Sequence, residues 1–359
     1  MAYTNIDDPS AYFQTKIWTG SGQTNRTITN DGNSDLQPDM LWAKSRSSVT
    51  QHVIYDSTRG AGKQILPNVT NAEGTAATGY NLTGFATDGF ITGANQFNLI
   101  SGGNDYVAWQ WKANGGTTVS NTDGNTTTTV QANQDAGFSI VTYTGTGSSS
   151  QTMGHGLGVT PNIVLTKARS GTSNWSFNGN FGGMTYGTNK LLLNSTGALA
   201  SDTNEVKAAS STTFTGGGSG AVNGNGSTYV AYCFAEKQGY SKFGSYVGNG
   251  NDNGPFVYTG FKPAFIMTKK SSAAGGGWFI QDIKRGIKNN DTNTPVLQAN
   301  GNFSESQVGF TDYEIDFLSN GFKLRDNNTY VNLSGTTYIY MAFAENPFTT
   351  STGIPTTAR

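Results

Sequence analysis

Three carboxylates alternate in Asp312-Tyr-Glu314-Ile-Asp316. On a strand that spacing puts all three on one face, where paired carboxylates can bind a cation or serve as acid and base at a glycosidic bond. The triplet has no counterpart elsewhere in the chain, so a solvated strand face is the plainer expectation. Basic residues recur at three places: Lys44 and Arg46, Lys167 and Arg169, Lys269 and Lys270. Such groups meet an acidic glycan or a neighbouring subunit, or simply solubilise the outer face of a strand. Asp56-Ser-Thr-Arg59-Gly60 and Asp282-Ile-Lys-Arg285-Gly286 read as local Asp–Arg pairs holding a turn. Between them in the chain, Phe181-Gly-Gly183 breaks that pattern.

The remaining chemistry is sparse. Two histidines, His52 and His155, and a single cysteine, Cys233, assemble neither a Ser-His-Asp set nor a Cys/His metal site. Cys233 sits inside a strand-like run and is expected to be a small buried hydrophobe. Gly154-His-Gly-Leu-Gly158 is glycine-rich, but no helix pattern follows it to cradle a phosphate. Asn121-Thr-Asp-Gly-Asn125 and Asn249-Gly-Asn-Asp-Asn-Gly254 lack the late bidentate glutamate of a calcium loop and read as turns. Glu236 and Glu345 close matching strands, where bonding backbone N–H groups is the expected role; Ala113 stands in their place in the first copy. No catalytic residue, cofactor or metal ligand is assigned. Among the tryptophans (18, 42, 109, 111, 175 and 278) most should be core, with a minority free to stack on sugar rings. Trp175 and Trp278 join the basic strand ends as candidate glycan or interface contacts.

The scaffold that must position these residues is legible from composition. Of 359 residues only 13% are charged, the net charge is −1, and glycine contributes 48. Low charge with 12% aromatics is unlike a disordered chain and suits short strands joined by tight turns. A near-neutral balance argues against nucleic acid, which needs a basic stripe. No run approaches the ~18 apolar residues of a membrane span. The opening Met1-Ala-Tyr-Thr-Asn-Ile-Asp-Asp8 has neither a basic nor an apolar stretch, so synthesis in a cytoplasm without a secretory signal is expected.

Self-similarity organises the chain. Lys16-Ile-Trp-Thr-Gly-Ser-Gly22, Ser139-Ile-Val-Thr-Tyr-Thr-Gly-Thr-Gly147 and Phe243-Gly-Ser-Tyr-Val-Gly-Asn-Gly250 each read as a strand ending in a Gly-x-Gly turn. Each is followed by a proline (38, 161, 263), which fits the first residue of an apolar strand ending in basic residues, where a missing N–H costs no ladder bond. Next come His52, Trp175 and Trp278, with Gly60, Gly183 and Gly286 eight residues on. Each copy closes on an aromatic strand: Tyr106-Val-Ala-Trp-Gln-Trp111, Tyr229-Val-Ala-Tyr-Cys-Phe234 and Tyr338-Ile-Tyr-Met-Ala-Phe343. From proline to last aromatic the spans are 73, 73 and 80 residues. The expectation is an all-β chain of three tandem β-sandwiches of about 100 residues, jelly-roll-like in topology. The units are 16–113, 138–236 and 237–348, with a Gly/Thr/Asn-rich linker at 114–137, an N-terminal arm at 1–15 and a tail at 349–359. Free ends would fray, so order in them would mean contact with another chain.

With these motifs in place the chain resembles a family of repeat-containing structural proteins of tailed-bacteriophage virions from aquatic bacteria. The carrying residues are Ala11-Tyr-Phe-Gln-Thr-Lys-Ile-Trp-Thr-Gly20, Gln37-Pro-Asp-Met-Leu-Trp-Ala-Lys-Ser-Arg46, Asp56-Ser-Thr-Arg-Gly60, Tyr229 to Gly244, Phe256-Val-Tyr-Thr-Gly-Phe-Lys-Pro-Ala-Phe265 and Tyr338 to Phe348. The resemblance implies a non-enzymatic protein on the virion surface, as a tail fibre or appendage engaging host-surface glycan or receptor. The rival readings are a capsid decoration protein that stabilises the head and, more remotely, a carbohydrate-active enzyme. The partners expected are other virion proteins and further copies of this chain, a trimer in the case of a fibre, with no nucleic acid and no membrane insertion.

Overall fold

The computed structural model describes residues 3–75, 81–93, 99–286, 289, 294–305 and 313–356. Among them there is no α-helix; single turns of 3-10 helix lie at Pro9–Ala11 and Ile283–Arg285, and none of the helices is long and apolar enough to cross a membrane. The first third holds β1 (Phe13–Thr19), β2 (Arg26–Ile28), β3 (Met40–Ser45), β4 (Val53–Asp56), β5 (Lys63–Gln64), β6 (Gly74–Thr75), β7 (Leu82–Ala86), β8 (Gly89–Thr92) and β9 (Asp105–Trp111). The second holds β10 (Val119–Asn121), β11 (Thr128–Asn133), β12 (Phe138–Thr144), β13 (Gln151–Gly154), β14 (Ile163–Ala168), β15 (Ser176–Gly179), β16 (Asn189–Leu192), β17 (Ala200–Ser201), β18 (Val206–Ala209), β19 (Thr213–Gly216) and β20 (Thr228–Phe234). The last holds β21 (Ser241–Val247), β22 (Phe256–Tyr258), β23 (Phe261–Lys270), β24 (Trp278–Asp282), β25 (Leu297–Gln298), β26 (Ile315–Leu318), β27 (Gly321–Leu324) and β28 (Thr337–Pro347).

The same antiparallel order occurs three times. The large sheets run β1-β9-β3-β4, β12-β20-β14-β15 and β21-β28-β23-β24, and each is faced by a three-stranded sheet: β2-β8-β7, β13-β19-β18 and β22-β27-β26. First and last strands are neighbours with the third beyond them, while the second pairs with the penultimate on the facing sheet, as in a jelly roll. The fourth strand departs from that topology by staying in the large sheet.

Each sandwich has its own core, formed by Trp18, Phe90 and Tyr106 in the first unit, Tyr143, Phe214 and Tyr229 in the second, and Tyr246, Phe322 and Tyr338 in the third. The opposite faces of the three large sheets share one further core. Successive side chains of a strand alternate in direction. Tyr106 and Ala108 therefore enter the sandwich, while Val107, Trp109 and Trp111 turn to the common core. Trp111, Phe234 and Phe343 hold the same register position on β9, β20 and β28, opposite Phe13, Phe138 and Ser241. Their ring centroids stand 6.3, 5.5 and 6.0 Å apart, a triangle with one corner from each unit. The three units thus close around an approximate threefold axis. Burying such a ring is worth roughly 2–3 kcal/mol; exposed ion pairs such as Lys284–Asp31 are worth about 0–1 kcal/mol. The aromatic axis holds the assembly.

The Gly-x-Gly turns follow one pattern. Gly22, Gly147 and Gly250 have φ of 73, 74 and 67°, where a side chain is strained. Gly20, Gly145 and Gly248 lie so close to the closing turn that an added Cβ would sit 2.2, 2.4 and 2.3 Å from the carbonyl oxygens of Ser101, Gly224 and Leu333.

Four expectations are corrected. Residues 114–137 are not a linker, because β10 and β11 extend the second unit's large sheet beyond β12. Thr128, Val130 and Gln131 are buried there, and the high Thr content hid that inward pattern. The N-terminal arm is ordered by its own chain, with Tyr3 Oη donating to the Gly260 carbonyl at 2.6 Å and Thr4 Oγ1 to that of Gln238 at 2.8 Å. At the other end the tail reaches back, Ser351 N donating to Asp7 at 2.6 Å. Pro263 is the third residue of β23 rather than its first, and sits where the register with β28 shifts, so its missing N–H interrupts no regular ladder.

Candidate functional site

The residues singled out by type converge on the three seams between units. Lys44, Lys167 and Lys269 occupy one register position, opposite Val107, Val230 and Ile339, and all three are fully buried. The expectation that they are exposed solubilising or glycan-binding charges is overturned. Lys167 Nζ donates to the Thr70 carbonyl of the first unit at 3.2 Å, and Lys269 Nζ to that of Thr196 in the second at 3.4 Å. Lys44 Nζ bonds the Ser48 carbonyl at 3.0 Å. Burial lowers these ammonium groups from 10.5 to about 7 for Lys44, partly offset by Glu305 of the third unit, and to about 8 for Lys167 and Lys269.

Arg46 and Arg169 also work across seams. Arg46 Nε pairs with Glu305 at 3.0 Å and Arg169 Nε with Glu73 at 2.8 Å. Backbone bonds repeat the relation: Glu73 N to Arg169 O at 2.9 Å, Leu199 N to Ser271 O at 2.8 Å and Glu305 N to Arg46 O at 2.8 Å. Lys270 is the exception. It is 5% exposed and lies within its own unit, 5.9 Å from the ring centre of Tyr330.

Trp175 and Trp278 are buried too, so neither offers a face to a sugar; all six tryptophans are core. Trp175 Nε1 donates to the Leu66 carbonyl of the first unit at 2.9 Å, and Trp278 Nε1 to the Leu192 carbonyl of the second at 3.0 Å. His52, their counterpart, is 3.1 Å from the Gln298 carbonyl of the third. Trp42 Nε1 donates to His52 Nδ1 at 3.0 Å, so Nε2 carries the hydrogen and donates to Gln298. Complete burial holds this imidazole neutral, well below its ordinary pKa. Each unit therefore bonds the preceding one, and the first bonds the third. Such head-to-tail contacts make a ring when the rotation closes.

The Asp–Arg pairs hold turns as expected and also reach across. Asp56 with Arg59 (2.5 Å) and Asp282 with Arg285 (2.6 Å) are completely buried. Asp56 accepts from Tyr232 of the second unit at 2.6 Å, and Asp282 from Trp109 of the first at 2.9 Å. Glu236 takes the backbone role expected of it, accepting from Phe243 N at 2.7 Å, whereas Glu345 pairs with Lys262 at 2.6 Å. Of the carboxylate triplet, Asp312 lies outside the described residues. Asp316 is 3% exposed and bonded to Arg325, which corrects the solvated face. Among the described residues no three His, Cys, Asp or Glu side chains are grouped to hold a metal.

What stays accessible lies elsewhere. The inter-unit crossings and both termini gather at the end of the sheets where β1, β12 and β21 begin; the three Gly-x-Gly turns occupy the opposite end. In the seam between the third and first units an open cavity of about 250 Å³ is lined by Phe13, Gln14, Thr15, Ala264 and Ala344, with Asp31, Lys284 and Asn346 among its polar groups. Sequence reading missed it, since its walls come from opposite ends of the chain.

A family model described as a domain of unknown function, DUF7483, matches residues 8–347. The chain belongs to this family. The match spans all three units together, from the 3-10 turn before β1 to the last residue of β28. No curated protein and no solved structure matches the chain.

Proposed function

We propose that this chain is a non-enzymatic structural component of a tailed-phage virion, set in the tail fibre or an appendage, where it engages host-surface glycan. The observation that carries the reading is the closed ring of three units on an aromatic axis. It gives one covalent chain a threefold character, the symmetry of fibres and their tips. The polarity of the ring supports it further: termini and crossings at one end suit attachment to the particle, and three glycine turns at the other suit presentation. Lys44, Lys167, Lys269, Arg59 and Arg285 are consumed in seams and turns, which fits a durable part better than a catalyst.

Gold labelling of the protein on intact particles, viewed by electron microscopy, tests the reading. Label at the tail or its fibres is the expected result. Label spread evenly over the head would move the protein to capsid decoration, and absence of label from every particle would overturn the virion assignment.

A further inference from the structure

The three seams are equivalent in construction but not in filling. Thr58, Phe181 and Lys284 hold the same position, six residues after His52, Trp175 and Trp278. Thr15, Ile140 and Phe243 likewise share a register position on the opening strands. In the seam between the first and second units, Gln131 of β11 reaches in and donates to Ser57 Oγ at 2.9 Å and Thr58 Oγ1 at 2.8 Å. In the seam between the second and third, the rings of Phe181 and Phe243 lie 6.2 Å apart. In the seam between the third and first units, Lys284 and Thr15 replace those rings, and the cavity opens between them.

Its chemistry is specific. The floor is apolar, from Phe13, Ala264 and Ala344, all buried. Thr15 is 4% exposed, and its Oγ1 has no hydrogen-bond partner among the described residues. A buried hydroxyl left unpaired is costly, and a ligand hydroxyl would satisfy it once the Thr15 side chain rotates towards the cavity, since Oγ1 is shut off from solvent as it stands. The charged groups at the rim are already paired: Asp31 with Lys284 at 3.1 Å and Lys16 at 3.3 Å, Glu345 with Lys262 at 2.6 Å. An ion therefore finds no unpaired partner among these groups, while a neutral ligand finds polar groups around an apolar floor. At about 250 Å³ the cavity is slightly smaller than the ~300–1,000 Å³ of drug-sized ligand sites, which limits it to one small ring.

We infer that this cavity binds a single neutral sugar residue, with the ring's C–H face over Phe13 and Ala264 and a hydroxyl at Thr15 Oγ1. This rests on the attachment reading and gives it a site. It also makes the ring functionally asymmetric, with one sugar per chain rather than three.

The test uses the full chain with methyl glycosides of the hexoses, 6-deoxyhexoses and N-acetylhexosamines, one at a time, by saturation-transfer NMR and titration. Two variants accompany it: Ala264→Leu to fill the floor and Thr15→Val to remove the hydroxyl while keeping its shape. Their thermal midpoints are recorded first, and wild type and variants are also assayed on host cells. The expected result is one-to-one binding of at least one glycoside in the millimolar range, abolished by Ala264→Leu. Thr15→Val should weaken it about tenfold, as loss of one buried hydrogen bond does. If cells bind wild type and both folded variants equally and no glycoside binds, the cavity assignment is overturned while attachment stands. If wild type binds neither cells nor glycosides, both fall.

Discussion

Trp109 Nε1 donates a 2.9 Å hydrogen bond to Asp282 Oδ2, joining the closing strand of the first unit to the turn of the third. Tyr232 repeats the bond to Asp56 at the next seam, and at the remaining seam the register position of Trp109 and Tyr232 belongs to Met341, which has no hydrogen to donate. The turn facing that strand has Gly179 and Gly182 where the others have Asp and Arg, and Gly182 lies against Ile339. A buried Asp–Arg pair is kept where a neighbour donates to it and is absent where none does. This is the physical reason that Phe181-Gly-Gly breaks the motif.

Trp109→Phe and Tyr232→Phe should each destabilise the chain by about 1.5–3 kcal/mol, the worth of a buried hydrogen bond to a charged group. Urea denaturation at fixed pH measures it. A loss below about 0.5 kcal/mol in both would mean that the seam carboxylates are satisfied without their neighbours.

Phe181→Ala should open the seam between the second and third units. The ring is only partly buried, so the cost should be about 2 kcal/mol, below the ~3–5 kcal/mol of a fully buried phenylalanine. The thermal midpoint and small-molecule uptake at the new void both report on it.

Stability should rise as pH climbs from about 7 to about 9. Lys44, Lys167 and Lys269 have folded values lowered to about 7, 8 and 8 from 10.5 by burial. Below 7 both folded and unfolded chains hold these protons and the burial penalty is present in full. Between the folded values and about 9 the unfolded chain binds more protons, so the slope of stability with pH is positive. Above about 9 the buried tyrosines, Tyr143, Tyr232 and Tyr246 among them, and Cys233, all raised by burial, ionise first in the unfolded chain and oppose it. Denaturation midpoints across pH 7–9 should show that slope, and Lys44→Met should lose its lower part. A flat profile in wild type would mean that the carbonyls around each ammonium compensate its desolvation.

Cys233 should resist thiol reagents in the folded chain. It is fully buried on β20, and burial pushes its thiol up to about 12. Labelling should appear only across the unfolding transition; fast labelling under native conditions would show that the second sandwich opens locally.

Much of this architecture was legible in the chain before its contacts were known. The Gly-x-Gly spacing carries two steric demands at once, a positive φ and a close approach, which few other residues meet. The aromatic closing strands read as buried on at least one face; that both faces are covered was decided by the core the three large sheets share. Thr-rich β11 was not legible, because its buried residues are nearly as polar as its exposed ones, and composition outweighed alternation.

The amino-acid sequence by itself determined the all-β class, the three recurring units and the local Asp–Arg turns, since these depend on neighbours within about 100 residues and on backbone sterics. Only the tertiary structure decided what the recurring charges and tryptophans are for. Lys44, Lys167, Trp175 and Trp278 look alike on a surface strand or in a seam, and their burial depends on partners such as Thr70 and Leu192 that reach them only when the ring closes. The cavity beside Thr15 was decided there as well, because Phe13 and Ala344 come within reach of one another only across that closure.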